Sequence, residues 1–182
     1  MFLSFVGEIR LIPDSWPEVG SQVDRLFEGD PFPFSSFNGL VDMDKEEELG
    51  EDGASNLIPE GDGYLIVMTD PRPESDAFRE IVLSLQSLPV DMRRSLLLVN
   101  ADRPSVNRKW LKKNDLIGKV RLYSDVSRDS METMTALGET RWSVTMFVVA
   151  NDKVQRLARD VDQYASKKVV QNAINALKES RL

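Results

Sequence analysis

Apolar positions along this chain fall into short blocks whose spacing switches between that of strands and that of helices. Tyr64-Leu-Ile-Val-Met-Thr69 is a continuous apolar run of strand length, suited to burial on both faces. Asp70-Pro71-Arg72-Pro73-Glu74 breaks it. A helix is predicted next, capped by Ser75, with Phe78, Ile81, Val82 and Leu85 on one face. Ser95–Val99 is a second buried strand. Pro104-Ser105 opens a helix with Val106, Trp110 and Leu111 inward and Arg108, Lys109, Lys112 and Lys113 outward. Lys119–Tyr123 alternates, which predicts a less buried strand. Ser127–Leu137 reads as a short helix with Met131, Met134 and Leu137 inward, stopped by Gly138. Val144–Ala150 and Lys153–Ala158 flank Asn151-Asp152, the signature of a β-hairpin. A last helix starts near Ser166, with Val169, Val170, Ala173, Ile174 and Leu177 on one face.

Upstream, Phe2–Leu11 has strand character. Ser15-Trp16-Pro17-Glu18 has capping-box spacing, and Trp16, Val19, Val23, Leu26 and Phe27 form a helical stripe ending near Gly29. Residues 30–63 look irregular. Two prolines hold Phe32, Phe34 and Phe37 in an extended or turning stretch. Asp42, Asp44, Glu46, Glu47, Glu48, Glu51 and Asp52 then crowd around the single Lys45. The start of that run resembles a calcium loop, but Glu47 stands where the loop needs Gly and Gly53 where it needs Glu. A solvated, mobile segment is the expectation.

From Tyr64 the order is β-α-β-α-β-α-β-β-α. Strands alternating with helices imply parallel pairing, and the terminal hairpin must add antiparallel strands to the same sheet. The expected fold class is α/β, a mixed sheet flanked by helices. The expected organisation is an N-terminal βα extension (1–29), a Pro/Phe and acidic linker or loop (30–63), and a main domain (64–182).

Composition narrows the chemistry. The chain contains no cysteine and no histidine. That removes thiolates, disulfides, imidazole bases and the usual zinc and haem ligands. Residues 1–60 hold 14 acids and 3 bases, and the remainder 16 acids and 20 bases, for a total of −7. An acidic N-terminal third disfavours nucleic acid as a partner. No apolar run is long enough to span a bilayer, and no basic-start signal segment is evident. A cell or organelle interior is favoured over secretion.

The order of elements resembles the thioredoxin-like fold, and in detail its peroxiredoxin (AhpC/TSA-type) branch. Ser95-Leu-Leu-Leu-Val-Asn-Ala-Asp102 with the helix Ser105–Leu116 is similar to a strand, acidic turn and helix of that branch. Leu122-Tyr-Ser-Asp125 through Thr135-Ala-Leu-Gly138, and Arg141-Trp-Ser-Val-Thr145 through Val154, resemble its following passages. The resemblance implies a reactive cysteine at the N-terminus of the helix after the central strand, where the helix dipole lowers the thiol pKa. Here Asp70, Pro71, Arg72, Pro73, Glu74 and Ser75 form a degenerate version of that loop, without sulfur. The thioredoxin cis-proline position is taken by Val144, where a cis bond costs roughly 3 kcal/mol. The family's catalytic arginine also falls near Val144, and Arg141 is out of register.

Three function classes follow. The favoured one is a redox-inactive module without a cofactor, acting as an interaction or structural accessory subunit with a protein partner. Its expected partner-binding residues are Phe32, Phe34, Phe37, Asp42, Asp44, Glu46, Glu47 and Glu48, exposed aromatics beside a charged run. The competing expectation for that segment is internal: the rings cover the chain's own sheet and the acids lie over the basic helix Arg108–Lys113. The second class is a non-thiol enzyme using Asp70, Arg72, Glu74, Asp76 and Arg141, with a carboxylate-bound magnesium ion as a chemical option. The third, least favoured, is a small-ligand or phosphate site at the N-terminus of the Ser75 helix, which Pro71 and Pro73 leave short of backbone donors.

Overall fold

The continuous apolar runs become the inner strands of a single sheet. The structure is a computed structural model and describes residues 26–50, 57, 63–69, 76–86, 88, 93, 95–133, 144–161 and 166–179. Among these, the strands are β1 (Val41–Asp42), β2 (Glu47–Glu48), β3 (Tyr64–Thr69), β4 (Leu96–Asn100), β5 (Leu122–Ser124), β6 (Val144–Ala150) and β7 (Lys153–Val161). The helices are a 3-10 turn (Phe34–Phe37), α1 (Asp76–Gln86), α2 (Pro104–Lys113), α3 (Asp129–Thr133) and α4 (Ser166–Glu179).

The sheet order is β2-β1-β5-β4-β3-β6-β7. Strands β3, β4 and β5 run parallel, joined through helical crossovers, whereas β6, β7, β1 and β2 pair antiparallel. As expected, β3 and β4 are central and the terminal hairpin belongs to the same sheet. Asn151 and Asp152 both take positive φ, 52° and 58°, the geometry of a tight two-residue turn that matches strand twist.

Strands β4, β5 and β6 bury both faces, so alternate residues serve two cores. Leu96, Leu98, Leu122, Met146 and Val148 meet Phe78 and Ile81 of α1, Trp110 and Leu111 of α2, and Val170, Ile174 and Leu177 of α4. Leu97, Val99, Tyr123, Phe147 and Val149 face the other way, toward Met131 of α3 and the residues 26–40. In α2 the inward face is Asn107, Trp110 and Leu111, while Val106 is 38% exposed. Trp110 and Leu111 thus face inward as expected, while Asn107 takes the inward place given to Val106, its side-chain amide donating to the Asp102 carbonyl at 3.1 Å.

Three expectations change. Strand β5 is not a less buried strand: Leu122, Tyr123 and Ser124 are all buried. The β1–β2 hairpin pairs along its outer edge, with Val41 opposite Ser124 and Asp42 opposite Tyr123. The acidic run is therefore not simply a solvated loop, since it supplies the last two strands on this side of the sheet. The helical stripe expected to reach Phe27 does not extend that far: Leu26 and Phe27 are non-helical. They enter a turn in which Gly29 (φ 95°) donates its N–H to the Val154 carbonyl at 2.7 Å, a conformation that glycine adopts without steric cost. Phe2–Leu11, Ser15–Val23, Met134 and Leu137 lie outside the described residues.

Candidate functional site

In an open α/β sheet, chemistry collects at the carboxyl ends of the parallel strands. Those ends are in register here: Thr69 pairs with Asn100, Asn100 with Ser124, and Thr69 with Val144 on its other side. Val144 is fully buried at the start of β6 and contributes only methyl groups. Asp70, Pro71, Arg72, Pro73, Glu74, Ser75 and Arg141, together with the Asp76 side chain, lie outside the described residues.

On the other side of Thr69 from Val144, the carboxyl ends of β4 and β5 carry a polar network that the sequence pattern did not single out. The Asn100 side-chain oxygen accepts the Asp102 N–H at 2.7 Å. The Asp102 carbonyl accepts both the Ser124 hydroxyl and the Asn107 amide, the latter at 3.1 Å. The Asp125 N–H returns to the Asn100 carbonyl at 2.8 Å. Asn100, Asn107, Ser124 and Asp125 are all buried. Each polar side chain here closes a loop that leaves the sheet, satisfying backbone groups that would otherwise be stranded.

Asp125 organises the next turn. One carboxylate oxygen accepts the Met131 N–H at 3.0 Å, and the other the Ser127 hydroxyl at 3.3 Å. Burial pushes its carboxyl above the ordinary carboxylate value, against the opposing pull of the Met131 and Ser127 hydrogen bonds, with Asp129 adding repulsion. Ser130, also buried, donates to the Ser36 carbonyl and so ties α3 to the 3-10 turn. These groups position backbone. The carboxylate already accepts on both oxygens, from the Ser127 hydroxyl and the Met131 N–H. A polar residue at the end of an apolar run (Asn100, Ser124) was the available signal. Partners 94 positions apart, such as Ser130 and Ser36, leave no local pattern.

The partner-binding candidates divide. Phe32 and Phe37 are 4% and 1% exposed, and Phe34 is partly buried. Phe32 meets Phe147 edge-on at 5.5 Å between centroids, with Phe34 at 4.8 Å and Phe37 at 5.9 Å. The expectation of exposed aromatics fails for Phe32 and Phe37, because β6 presents a ring for them to cover. Asp42 uses its carboxylate to cap its own turn, accepting the N–H groups of Asp44 at 2.8 Å and Lys45 at 3.2 Å. Glu46 pairs with Arg108 on α2. Asp44, Glu47 and Glu48 are exposed. No three acidic side chains converge as a metal cage among the described residues, and no helix there is long and apolar enough to cross a membrane.

A mixed sheet of this order, with β3 between a parallel β4 and an antiparallel β6, is the thioredoxin-like fold in its peroxiredoxin form. Solved structures agree. The chain superposes on a Cys-to-Ser mutant of PrxQ from Xylella fastidiosa with a TM-score of 0.62 at 14% identity, covering 83% of this chain and 97% of that one. A peroxiredoxin-like protein from Aquifex aeolicus gives 0.60 at 15% identity, covering 84% and 88%. The thiol peroxidase from Chromobacterium violaceum gives 0.56 at 19% identity, covering 84% and 90%. No family model and no curated protein matches the chain.

Proposed function

We propose that this chain is a redox-inactive protein of peroxiredoxin fold, acting as an interaction or structural subunit of a larger assembly. One observation carries the reading: the fold is shared with thiol peroxidases, yet the chain contains no cysteine. Peroxide reduction by a thiol needs a thiolate that attacks the O–O bond, becomes a sulfenic acid and is then re-reduced. A serine hydroxyl at Ser75 is far less acidic and cannot enter that cycle. Methionine can be oxidised to its sulfoxide, but its return requires a separate reductase, so it gives no turnover. What remains useful in such a fold is its rigid surface, and fold alone does not dictate chemistry. The acids Asp44, Glu47 and Glu48 stay in the proposed contact surface, whereas Phe32 and Phe37 leave it.

The test has two parts. Purified protein with dithiothreitol or a thioredoxin system should reduce neither hydrogen peroxide nor an alkyl hydroperoxide above the blank. Protein captured from its native source should migrate as a stoichiometric complex. A free monomer that turns over either peroxide would overturn the proposal.

A further inference from the structure

The hairpin that completes the sheet leaves a groove between itself and helix α2, with a volume of about 740 Å³. Its floor is apolar, formed by Val41, Met43 and Ile117, the last of which is 53% exposed. One wall carries Arg108, Lys109 and Lys112. Helix α2 contains four bases and no acid between Pro104 and Lys113, in a chain whose total charge is −7. Only one carboxylate reaches this wall among the described residues: Glu46, at the hairpin tip, pairs with Arg108. Asp42 and Asp44 line a different cavity, together with Lys45, Arg121 and Tyr123. The groove therefore presents three cations against one anion.

We propose that this groove is a docking site for an acidic, leucine-bearing segment of a protein partner. Glu46 on Arg108 shows the geometry of the first contact, and Lys109 and Lys112, both exposed, extend the row along the helix. The floor distinguishes this occupant from a polyphosphate. Apolar side chains of the segment fill the space over Val41, Met43 and Ile117, which a nucleic acid backbone cannot use. A short acidic segment meets the local cations within a Debye length. The inference rests on the reading of the chain as an interaction subunit.

The probe is a fluorescein-labelled twelve-residue peptide repeating Glu-Leu-Glu-Asp, with a control in which Gln and Asn replace the acids. Fluorescence anisotropy should show saturable binding of the acidic peptide that weakens as salt rises from about 50 to 300 mM, and weaker binding of the control. The double variant K109E/K112E should lose at least about tenfold in affinity, equal to about 1.4 kcal/mol. I117S should weaken binding less, without changing the salt dependence. Both variants alter exposed side chains, so the melting temperature should not move. Equal binding of the neutral control, or no loss in K109E/K112E, would overturn the assignment. So would tighter binding of a twelve-nucleotide RNA, which would make this a nucleic-acid surface. A fall in melting temperature of the isolated K109E/K112E chain would show that the chain's own acids occupy the groove. The native complex separates the two readings. If wild type and K109E/K112E both assemble, the groove assignment fails alone. If wild type forms no complex, the subunit reading fails.

Discussion

Replacing Phe32 with alanine measures whether residues 26–40 are part of the core or a detachable docking arm. Phe32 is 4% exposed and touches three other rings, those of Phe34, Phe37 and Phe147. Phe147 belongs to β6, at 0% exposure, and cannot move to fill a hole without disturbing its pairing with Ile66 and Leu157. The adjoining backbone is also fixed: the Phe32 N–H donates to the Asp152 carbonyl at 2.8 Å. Relaxation should be small, so the loss should lie near the usual range for a buried Phe→Ala change, about 3–5 kcal/mol. For a chain of this length that corresponds to a fall in Tm of roughly 6–20 °C. Urea unfolding followed by far-ultraviolet circular dichroism gives the free energy. Phe27→Ser is the control: with 59% of Phe27 exposed, its effect should stay within about 0.5 kcal/mol. A loss under about 1 kcal/mol for Phe32→Ala, with an unchanged m-value, would refute the packing argument and return these rings to a partner-facing role.

Three further outcomes are expected. Asp125→Asn should reverse a pH trend: because burial raises the Asp125 pKa, its contribution to stability is fully present below 3.8 and is lost as pH rises through the higher folded value. The advantage of wild type over the variant should therefore shrink between pH 4 and pH 7 in urea titrations, and a growing advantage would contradict the burial argument. Asp152→Gly should stabilise by about 0.5 kcal/mol, since glycine takes the positive φ of this turn more easily than aspartate does, and a loss in the same titration would show that the side chain has a structural partner. Ser75→Cys should give no useful peroxidase turnover, because buried Val144 offers only methyl groups and Pro71 and Pro73 carry no backbone N–H; robust turnover in a coupled peroxide assay would show a site still organised for thiols.

The parts of the fold legible in sequence are those whose periodicity survives burial. Leu96–Val99 and Val144–Ala150 are apolar without interruption because both their faces are covered, and the apolar run Tyr64–Thr69 takes the central place between them. Helix α4 shows its core face through Val170, Ala173, Ile174 and Leu177, at helical spacing. The β1–β2 hairpin was hidden because its strands are two residues long and acidic. Pairing to β5 comes from backbone groups, which carry no side-chain signature. The position of β5 was misjudged for the same reason, since its burial depends on that hairpin. Of the polar group at Asn100, Asn107 and Asp125, only Asn100 leaves a trace in the sequence, as a polar residue ending an apolar run. Asn107 and Asp125 serve backbone groups five and six positions away, and only the folded chain brings those groups together.

The strap along the outer edge of β7 also fixes the order of events during synthesis. Gly29 and Asp30 exchange backbone hydrogen bonds with Val154, and the Glu28 carboxylate accepts the Leu157 N–H across 129 positions of sequence. A ribosome delivers the early half of these contacts long before the late half exists. Until β6 and β7 emerge, Phe32 and Phe37 have no Phe147 to cover, and β3 lacks the strand that closes one of its sides. The nascent chain must therefore carry an uncovered aromatic cluster and a bare strand edge until residues 144–161 are made, the kind of surface that chaperones hold. Folding is then gated by residues 144–161, and a truncation there should leave an aggregating remnant rather than a smaller domain.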